Sequence, residues 1–312
     1  MMLRMISSLA LGASAVLLVS CGSSNEDVPM LIGSEQASPG QGESIYQQAK
    51  AADDAGKSDK AIKLYNKVAT DYPTAPSSAQ ARYREAQLLE QKGEVVKSFK
   101  AYQQFLDRYQ GSGLYSTALS KQAAMAQSAA DGEVKSGFLG IKSKLSTDKV
   151  AEMLTQVRTN APRSATAAKA QFTLGQLYEG KEKNKEAIAA YRELVRDQPE
   201  SSYAPEALFR VGVILTNQAD QGNQNQANLD LAREAFNDYL LQYPGHSKNA
   251  EARSRSANLG GREVQRTFDT AEFYLKTGKT ESAKIYYRDV VKRTSSGKLH
   301  DDARARLKEL GE

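Results

Sequence analysis

The stretch Leu174-Gly175-Gln176-Leu177-Tyr178, followed by Ala187, Tyr191 and Pro199, decides the fold of this chain. Its apolar residues stand three or four positions apart, which is the spacing of one face of an α-helix. Pro199 cannot continue a helix, because it lacks an N–H and restricts the residue before it. The stretch therefore predicts two short helices joined by a turn, with Gly175 facing Ala187 so that the two axes approach closely.

The same pattern recurs from Ser44 to the end of the chain. Five second helices are predicted to close at similar motifs: Asp71-Tyr72-Pro73, Arg108-Tyr109-Gln110, Asn160-Ala161-Pro162, Asp197-Gln198-Pro199 and Gln242-Tyr243-Pro244. Upstream of each motif lies an aromatic residue or Leu: Tyr65, Tyr102, Leu154, Tyr191 and Phe236. One helical turn further back lies a small or β-branched residue: Ala61, Ser98, Val150, Ala187 and Ala232. A sixth unit carries Ala271, Tyr274, Gly278, Ala283, Tyr287 and Val290.

These units resemble the tetratricopeptide repeat, a helix–turn–helix of about 34 residues. Each helix pair leaves an apolar face that only a neighbouring pair can cover, so the units must stack continuously. The resemblance implies an all-α superhelix (an α-solenoid) of five to six helix pairs over residues 44–312. Gly56 and Gly93 fall in the turn between paired helices, where a positive φ is expected.

Two units carry inserts. The third has extra residues between its helices, Gly132 to Leu145, and the fifth has an Asn- and Gln-rich insert, Asn217 to Gln226. Inserts in solenoids map to loops. The sixth unit opens with a long run from Ser247 that is interrupted at Gly260-Gly261, which predicts either one kinked long helix or two short ones.

The N-terminus carries an export signal. Arg4 precedes an apolar run that is too short to span a bilayer but suits a signal-peptide core, residues 1–20. The sequence Leu18-Val19-Ser20-Cys21 resembles the bacterial lipobox, which implies that Cys21 is lipidated. Gly22 follows in place of Asp, which by the same resemblance implies the outer membrane, on its periplasmic side. Residues 21–43 are polar and predict a flexible tether.

Composition disfavours an enzyme. The chain has one Cys, two His and no Trp, so it is poor in the residues that serve as nucleophile, general base or metal ligand. Gly278-Lys279-Thr280 lacks the earlier glycine of a P-loop, since Phe273 stands in that place. We therefore expect no catalytic residue, no metal and no cofactor. The net charge is +5 with interleaved signs, which predicts a solvated helical surface and no nucleic-acid partner.

One pattern predicts binding. Five units have an aromatic residue three before the small residue of their first helix: Tyr46, Tyr83, Phe172, Phe209 and Phe268. In tetratricopeptide superhelices this position usually points toward the concave groove, where a ladder of rings would hold an extended peptide. Lys50, Gln87, Gln176 and Lys276 would add polar contacts. The alternative is that these rings pack as core, which is the commoner role of aromatic residues at helical spacing.

Beyond the lipobox, the chain resembles BamD-type lipoproteins of the outer-membrane β-barrel assembly machinery. Ile45-Tyr46-Gln47-Gln48-Ala49 is similar to their first repeat, and Phe99-x-x-Tyr102-x-x-Phe105-Leu106 to their second. The most specific match is Ala271-Glu272-Phe273-Tyr274-Leu275-Lys276-x-Gly278, which is similar to their last repeat.

This resemblance implies a scaffold. Its C-terminal units would dock the periplasmic domains of the barrel-assembly protein, with Arg262, Arg266 and Arg288 at the docking end. Its N-terminal groove, with Tyr46 and Tyr83, would receive unfolded outer-membrane proteins. Other envelope lipoproteins remain as alternatives: a TolA-binding or cell-division coordinator, a secretin pilotin, or a glycan-binding protein, although the lack of Trp disfavours the last.

Overall fold

The computed structural model describes residues 39–138, 141–221 and 226–312. Cys21, the predicted signal peptide and the tether as far as residue 38 lie outside the described residues. Within those ranges the chain forms thirteen α-helices, of which the first twelve make six antiparallel pairs. The pairs are α1 (Pro39–Asp54) with α2 (Ser58–Asp71), α3 (Ser78–Gln91) with α4 (Val95–Arg108), α5 (Tyr115–Ala130) with α6 (Thr147–Asn160), α7 (Ala165–Glu179) with α8 (Asn184–Asp197), α9 (Ala204–Gln221) with α10 (Gln226–Gln242), and α11 (Asn249–Lys276) with α12 (Thr280–Arg293).

Each pair is one repeat of an all-helical solenoid, as the sequence predicts. The second helices of the first five repeats end at the residues where their closing motifs begin. The aromatic and small residues that recur along these helices are all buried: Tyr65, Tyr102, Leu154, Tyr191, Phe236, Ala61, Ser98, Val150, Ala187 and Ala232. Gly56 and Gly93 have the expected positive φ, of 69° and 72°. First helices of neighbouring repeats also contact one another, as α5 does α7 and α7 does α9.

Two glycines allow close approach inside a repeat. A Cβ at Gly175 would lie 2.4 Å from the ring of Tyr191, and one at Gly212 would lie 2.8 Å from the ring of Phe236. Both rings are fully buried. The small residue on the first helix therefore lets the second helix approach, as expected, but Gly175 faces the ring of Tyr191 and not Ala187 as predicted.

The folded body begins earlier than expected. Helix α1 starts at Pro39, so residues 39–43 belong to the first repeat and not to the tether. Proline is tolerated in the first turn of a helix, where its missing N–H has no partner to lose. Gly42 is buried, and a Cβ there would lie 2.7 Å from Cβ of Tyr72, so this turn packs against the end of α2. Because residues 39–43 have no large apolar side chain, their sequence gives no sign of this contact.

The insert of the third repeat contains the two strands of the described residues. β1 (Lys135–Phe138) and β2 (Ile141–Lys144) pair antiparallel, with Lys135 opposite Lys144 and Phe138 opposite Ile141. The insert of the fifth repeat is partly helical, because α9 continues to Gln221. The expectation of a loop from Asn217 is thus wrong for residues 217–221.

The sixth repeat opens with one long helix. α11 runs for 28 residues and includes Gly260 and Gly261. Its two halves belong to different hydrophobic clusters. In the first half Ala252 and Leu259 pack with α7–α10, and in the second half Val264 and Ala271 pack with α12 and the last helix. That last helix, α13 (Lys298–Glu309), closes the end of the stack and has no counterpart in the repeat pattern.

Candidate binding surfaces

The predicted aromatic ladder is mostly core. Tyr83, Phe172 and Phe209 are 7%, 8% and 4% exposed, so a ligand could not reach their rings. Tyr46 and Phe268 are half-buried. Each ring contacts the aromatic residue of its own second helix: Tyr46 with Tyr65 at 5.7 Å between centroids, Tyr83 with Tyr102 at 5.6 Å, Phe172 with Tyr191 at 5.6 Å, Phe209 with Phe236 at 5.5 Å and Phe268 with Tyr287 at 5.5 Å.

The prediction of a peptide-binding ladder is therefore wrong for Tyr83, Phe172 and Phe209. The physical reason is that tilted and edge-to-face ring pairs at these separations fill the space between the two helices of a repeat. Among the polar companions, Lys50, Gln176 and Lys276 are exposed. Gln87 is half-buried and its Oε1 accepts a hydrogen bond of 3.1 Å from Nη1 of Arg84.

A second ladder, which is polar, joins successive repeats. The hydroxyl of a second-helix tyrosine donates to a carboxylate near the end of the first helix, and a cation of the following unit binds the same carboxylate. The tyrosine–carboxylate distances are Tyr65–Asp53 3.3 Å, Tyr102–Glu90 3.1 Å, Tyr191–Glu179 2.7 Å and Tyr287–Glu272 2.5 Å. The carboxylate–cation distances are Asp53–Arg84 2.6 Å, Glu90–Lys121 3.0 Å, Glu179–Arg210 2.9 Å and Glu272–Arg306 3.0 Å.

The surroundings of the ladder keep its tyrosines protonated and its carboxylates charged. Burial, followed by the neighbouring carboxylate, raises the pKa of Tyr65 and of Tyr102 above the ordinary value, so both hydroxyls stay protonated and donate. The hydrogen bonds from Arg84 lower the pKa of Asp53, which stays charged. The third and fifth repeats have Leu154 and Phe236 where the others have this tyrosine, and so they lack the hydroxyl.

The predicted docking arginines differ in their surroundings. Arg262 pairs with Asp220 of α9 at 2.7 Å, and Arg288 pairs with Glu312. Arg266 is half-buried, and its buried Nη1 has no hydrogen-bond partner among the residues that the structure describes. Arg262 and Arg288 are thus each paired with a carboxylate of this chain's own C-terminal part.

The last repeat exposes an aromatic platform, which we define as Phe273, Tyr274, Ile285 and Tyr286. Phe273 and Ile285 are each 60% exposed. Tyr274 stacks on Tyr286 at 5.4 Å with an angle of 14° between the rings, and Phe273 contacts Tyr274 edge-on at 5.7 Å. Nζ of Lys279 lies 5.7 Å from the centre of the Tyr274 ring, within cation–π range. The last repeat therefore exposes two large apolar side chains beside a stacked pair of tyrosines, in addition to its Phe268–Tyr287 pair, which corresponds to the ring pairs of the other repeats.

The repeats themselves match a family model described as tetratricopeptide repeat. One such model matches residues 46–113 and 172–247, and a second matches residues 271–296, together more than half of the chain. The chain belongs to the tetratricopeptide-repeat family. Neither model covers residues 114–171, which hold the third repeat and its strands. No protein of curated function matches the sequence.

Many solved structures are similar to this tetratricopeptide-repeat chain at low identity. A tetratricopeptide repeat protein from Parabacteroides merdae is 12% identical, with 88% of this chain and 100% of that chain covered and a TM-score of 0.29. The C-terminal part of a repeat protein from Cytophaga hutchinsonii is 14% identical, with 86% and 88% covered and a TM-score of 0.35. YrrB, described as a repeat protein with an unusual peptide-binding site, is 16% identical, with 78% and 100% covered and a TM-score of 0.31.

Two further properties concern chemistry and membranes. Among the described residues of this tetratricopeptide-repeat chain, no three His, Cys, Asp or Glu side chains come together as metal ligands would. Over the same ranges, no helix combines the length and apolarity needed to cross a bilayer.

The polar ladder was not predicted from the sequence. Its signal is nonetheless present as a spacing: the tyrosine follows its carboxylate by 12 residues and the cation follows it by 31 at three junctions. Acidic and basic residues are common on every helix surface, so this spacing becomes visible only once the repeats are superimposed.

Proposed function

We propose that this chain is a lipid-anchored scaffold subunit of the machinery that assembles β-barrel proteins in the outer membrane. Its tetratricopeptide-repeat fold is of a kind that binds peptides and proteins. In this proposal the lipid on Cys21 holds the solenoid at the periplasmic side of the membrane. The last repeat docks the periplasmic domains of the barrel-assembly protein, and the N-terminal repeats receive unfolded outer-membrane proteins.

The aromatic platform of the last repeat carries the proposal. Two of its four residues, Phe273 and Tyr274, lie within Ala271–Gly278, the segment whose sequence is most similar to the last repeat of BamD-type lipoproteins. Phe273 and Ile285 of the platform are more than half exposed, beside the stacked pair of Tyr274 and Tyr286. Aromatic side chains that are exposed in one unbound protein and buried in a complex supply much of the binding free energy at interfaces.

The first two repeats supply the substrate side of the proposal. On α1, Lys50 is exposed and Tyr46 is half-buried. On α3, Gln87 is half-buried. These side chains lie on the first helices, which contact one another directly, and those contacts support an inner position for them in the superhelix. With Tyr83 in the core, this face offers polar contacts to an extended chain in place of a ladder of rings.

A crosslinked pull-down from envelope fractions, followed by mass spectrometry, tests the proposal. We expect the wild type to recover the barrel-assembly protein and the Phe273→Ser/Ile285→Ser variant to lose it. Leu241→Ser is the matched control, because Leu241 is 80% exposed on α10, away from the platform. Recovery of Tol or pilus components without the barrel-assembly protein would overturn the proposal, as would recovery that the double substitution leaves unchanged.

Membrane attachment is tested separately. We expect Cys21→Ser to move the protein from the membrane pellet to the soluble periplasmic fraction, while its circular dichroism and unfolding midpoint stay unchanged. A Cys21→Ser protein that remains in the outer-membrane pellet would show that the anchor is not at this residue.

A further inference from the structure

A long surface trough lies between the second helices of the first two repeats. Two cavities, of 390 Å³ and 620 Å³, open between α2 and α4 above α3, and both are lined by Gln104. We call them together the α2–α4 trough. Along α4 it extends from Lys97 to Arg108, which corresponds to about 16 Å of helix. An extended polypeptide rises about 3.3 Å per residue, so the trough matches about five residues.

The rim of this trough carries cations that the protein itself leaves unpaired. Within the described residues, Lys63 of α2 and Lys100 and Arg108 of α4 make no ion pair, and all three are exposed. Two rim acids are already engaged by cations, since Asp59 binds Lys92 and Glu94 binds Lys97 at 2.5 Å. The third, Asp107, accepts a hydrogen bond of 2.7 Å from Gln103, and this one carboxylate stands against the three cations without an ion pair to any described residue. The positive charge that remains is therefore available to an external anionic group.

The floor of the trough is polar and pre-formed. Arg82 and Glu85, which are only 6% and 7% exposed, form an ion pair of 2.6 Å. Arg82 also donates to Oδ1 of Asn66 at 2.9 Å and to Oγ1 of Thr70 at 3.0 Å, so it fastens α3 to α2. Because the charge of Arg82 is already compensated, an incoming carboxylate would meet the rim and not the floor. Asn66 and Gln104 offer amide groups to a main chain.

In the corresponding trough between α6 and α8, the positive charges are neutralised by a carboxylate of the protein itself. Its cavity also measures 620 Å³. Arg158 of α6 reaches across it to Glu193 of α8 at 2.7 Å, and Arg196 lies 3.6 Å from the same carboxylate. Gln171 on the floor also donates to Glu193, at 2.9 Å. In the α2–α4 trough the position of Glu193 is held by Gln104, so the bridging carboxylate is missing.

We propose that the α2–α4 trough binds an extended, acidic segment of about five residues from a partner protein. The acidic side chains pair with Lys63, Lys100 and Arg108, in the way that Glu193 pairs with the arginines of the other trough. This inference does not depend on the barrel-assembly proposal, because it concerns the outer face of the first two repeats and not the last repeat. A flat lipid surface would meet only the rim and leave the recessed floor empty.

Fluorescence anisotropy with a labelled heptapeptide tests the inference. The protein is the chain from residue 21 onward, which contains every described helix, with Cys21→Ser so that no lipid contributes. The probe is Ser-Glu-Asp-Glu-Asp-Glu-Ser, compared with its Gln/Asn counterpart. We expect the acidic peptide to bind at least tenfold more tightly than the amide peptide, with affinity that falls as salt is added.

Two variants assign the binding to the trough. Lys63→Gln/Lys100→Gln/Arg108→Gln is expected to weaken binding at least tenfold, and Gln104→Glu, which places the missing carboxylate, is expected to weaken it several-fold. Lys169→Gln/Lys181→Gln/Lys185→Gln is the matched control, since it removes the same charge from exposed positions of the fourth repeat and should change the affinity less than twofold.

Three results would overturn the inference. One is equal binding of the acidic and amide peptides, and another is an equal loss in the trough variant and the control variant. The third is a trough variant that binds the peptide normally but no longer sediments with vesicles containing 30% phosphatidylglycerol, which would assign the cations to a membrane. Unchanged circular dichroism of each variant ensures that a loss of binding does not reflect unfolding.

Discussion

The second and fourth repeats have the same frame and different troughs. Both place a buried tyrosine, Tyr102 or Tyr191, against a carboxylate of the first helix, and a cation of the next repeat binds that carboxylate. Outside this frame, Arg82 and Glu85 of α3 correspond to Gln171 and Leu174 of α7. The fold therefore requires the tyrosine–carboxylate–cation frame, whereas the groups that line a trough can vary without altering the helix pair.

The largest effect is expected from breaking the buried ion pair of the second repeat. Glu85→Leu installs the residue of the fourth repeat but leaves Arg82 charged and buried without its carboxylate, which costs about 3–5 kcal/mol. The double variant Arg82→Gln/Glu85→Leu copies both residues of the fourth repeat and should recover most of that loss. Urea unfolding followed by circular dichroism measures both. A double variant no more stable than the single one would mean that the two troughs are not interchangeable.

A smaller loss is expected where the fourth repeat is packed more closely than the second. Gly175 faces Tyr191, whereas the second repeat has Ala86 at the corresponding position. Gly175→Val places methyl groups against a fully buried ring and should destabilise the protein by about 2 kcal/mol, the usual cost of overpacking. Gly261→Ala is the control: a Cβ there meets nothing within 4 Å, and the helix should gain up to about 1 kcal/mol. Equal thermal midpoints for the two variants would contradict this account.

The shared frame should respond equally in both repeats. Tyr102→Phe and Tyr191→Phe each remove one hydrogen bond to a carboxylate that keeps its cation, so we expect each to cost about 1 kcal/mol. Phe236→Tyr in the fifth repeat, where Thr216 stands at the position that corresponds to Glu179, should bring no gain. Differential scanning calorimetry of the three variants tests this, and a loss confined to one of the two tyrosines would show that the frames are not equivalent.

The smallest effect concerns the acid that joins the first repeat to the second. Arg84 lowers the pKa of Asp53, so this pair adds stability above the unfolded-state pKa, about 3.9, and loses it as the pH falls through the folded-state pKa. The difference in unfolding free energy between wild type and Asp53→Asn should therefore be constant from pH 7 to pH 5 and shrink below about pH 4. Urea titrations at pH 3, 4, 5 and 7 measure it. A difference that grows in acid would contradict the assignment of the pair.

Most of the fold could be predicted because its signals are local. Helix ends at Asp71 and Asp197, the turns at Gly56 and Gly93, and burial of Ala61 and Ala187 all depend on residues within one repeat. The start at Pro39 could not be predicted, because it rests on the contact between Gly42 and Tyr72, which are distant in sequence. Among the candidate site residues, the rings of Tyr83, Phe172 and Phe209 were assigned to the wrong environment, since spacing defines a helix face but not what covers it.

It is evident from the sequence alone that this chain is a stack of helix pairs, which residues close each pair and which small and aromatic residues recur, because these features repeat with a short period. The tertiary structure was needed to show that the rings of Tyr83, Phe172 and Phe209 are core, that Phe273 and Ile285 are exposed, and that the polar ladder joins one repeat to the next. It also showed that one trough is internally bridged by Arg158 and Glu193, while in the other Lys63 and Lys100 form no ion pair with any described residue. Such pairs join helices of different repeats, and their geometry depends on how the repeats are stacked.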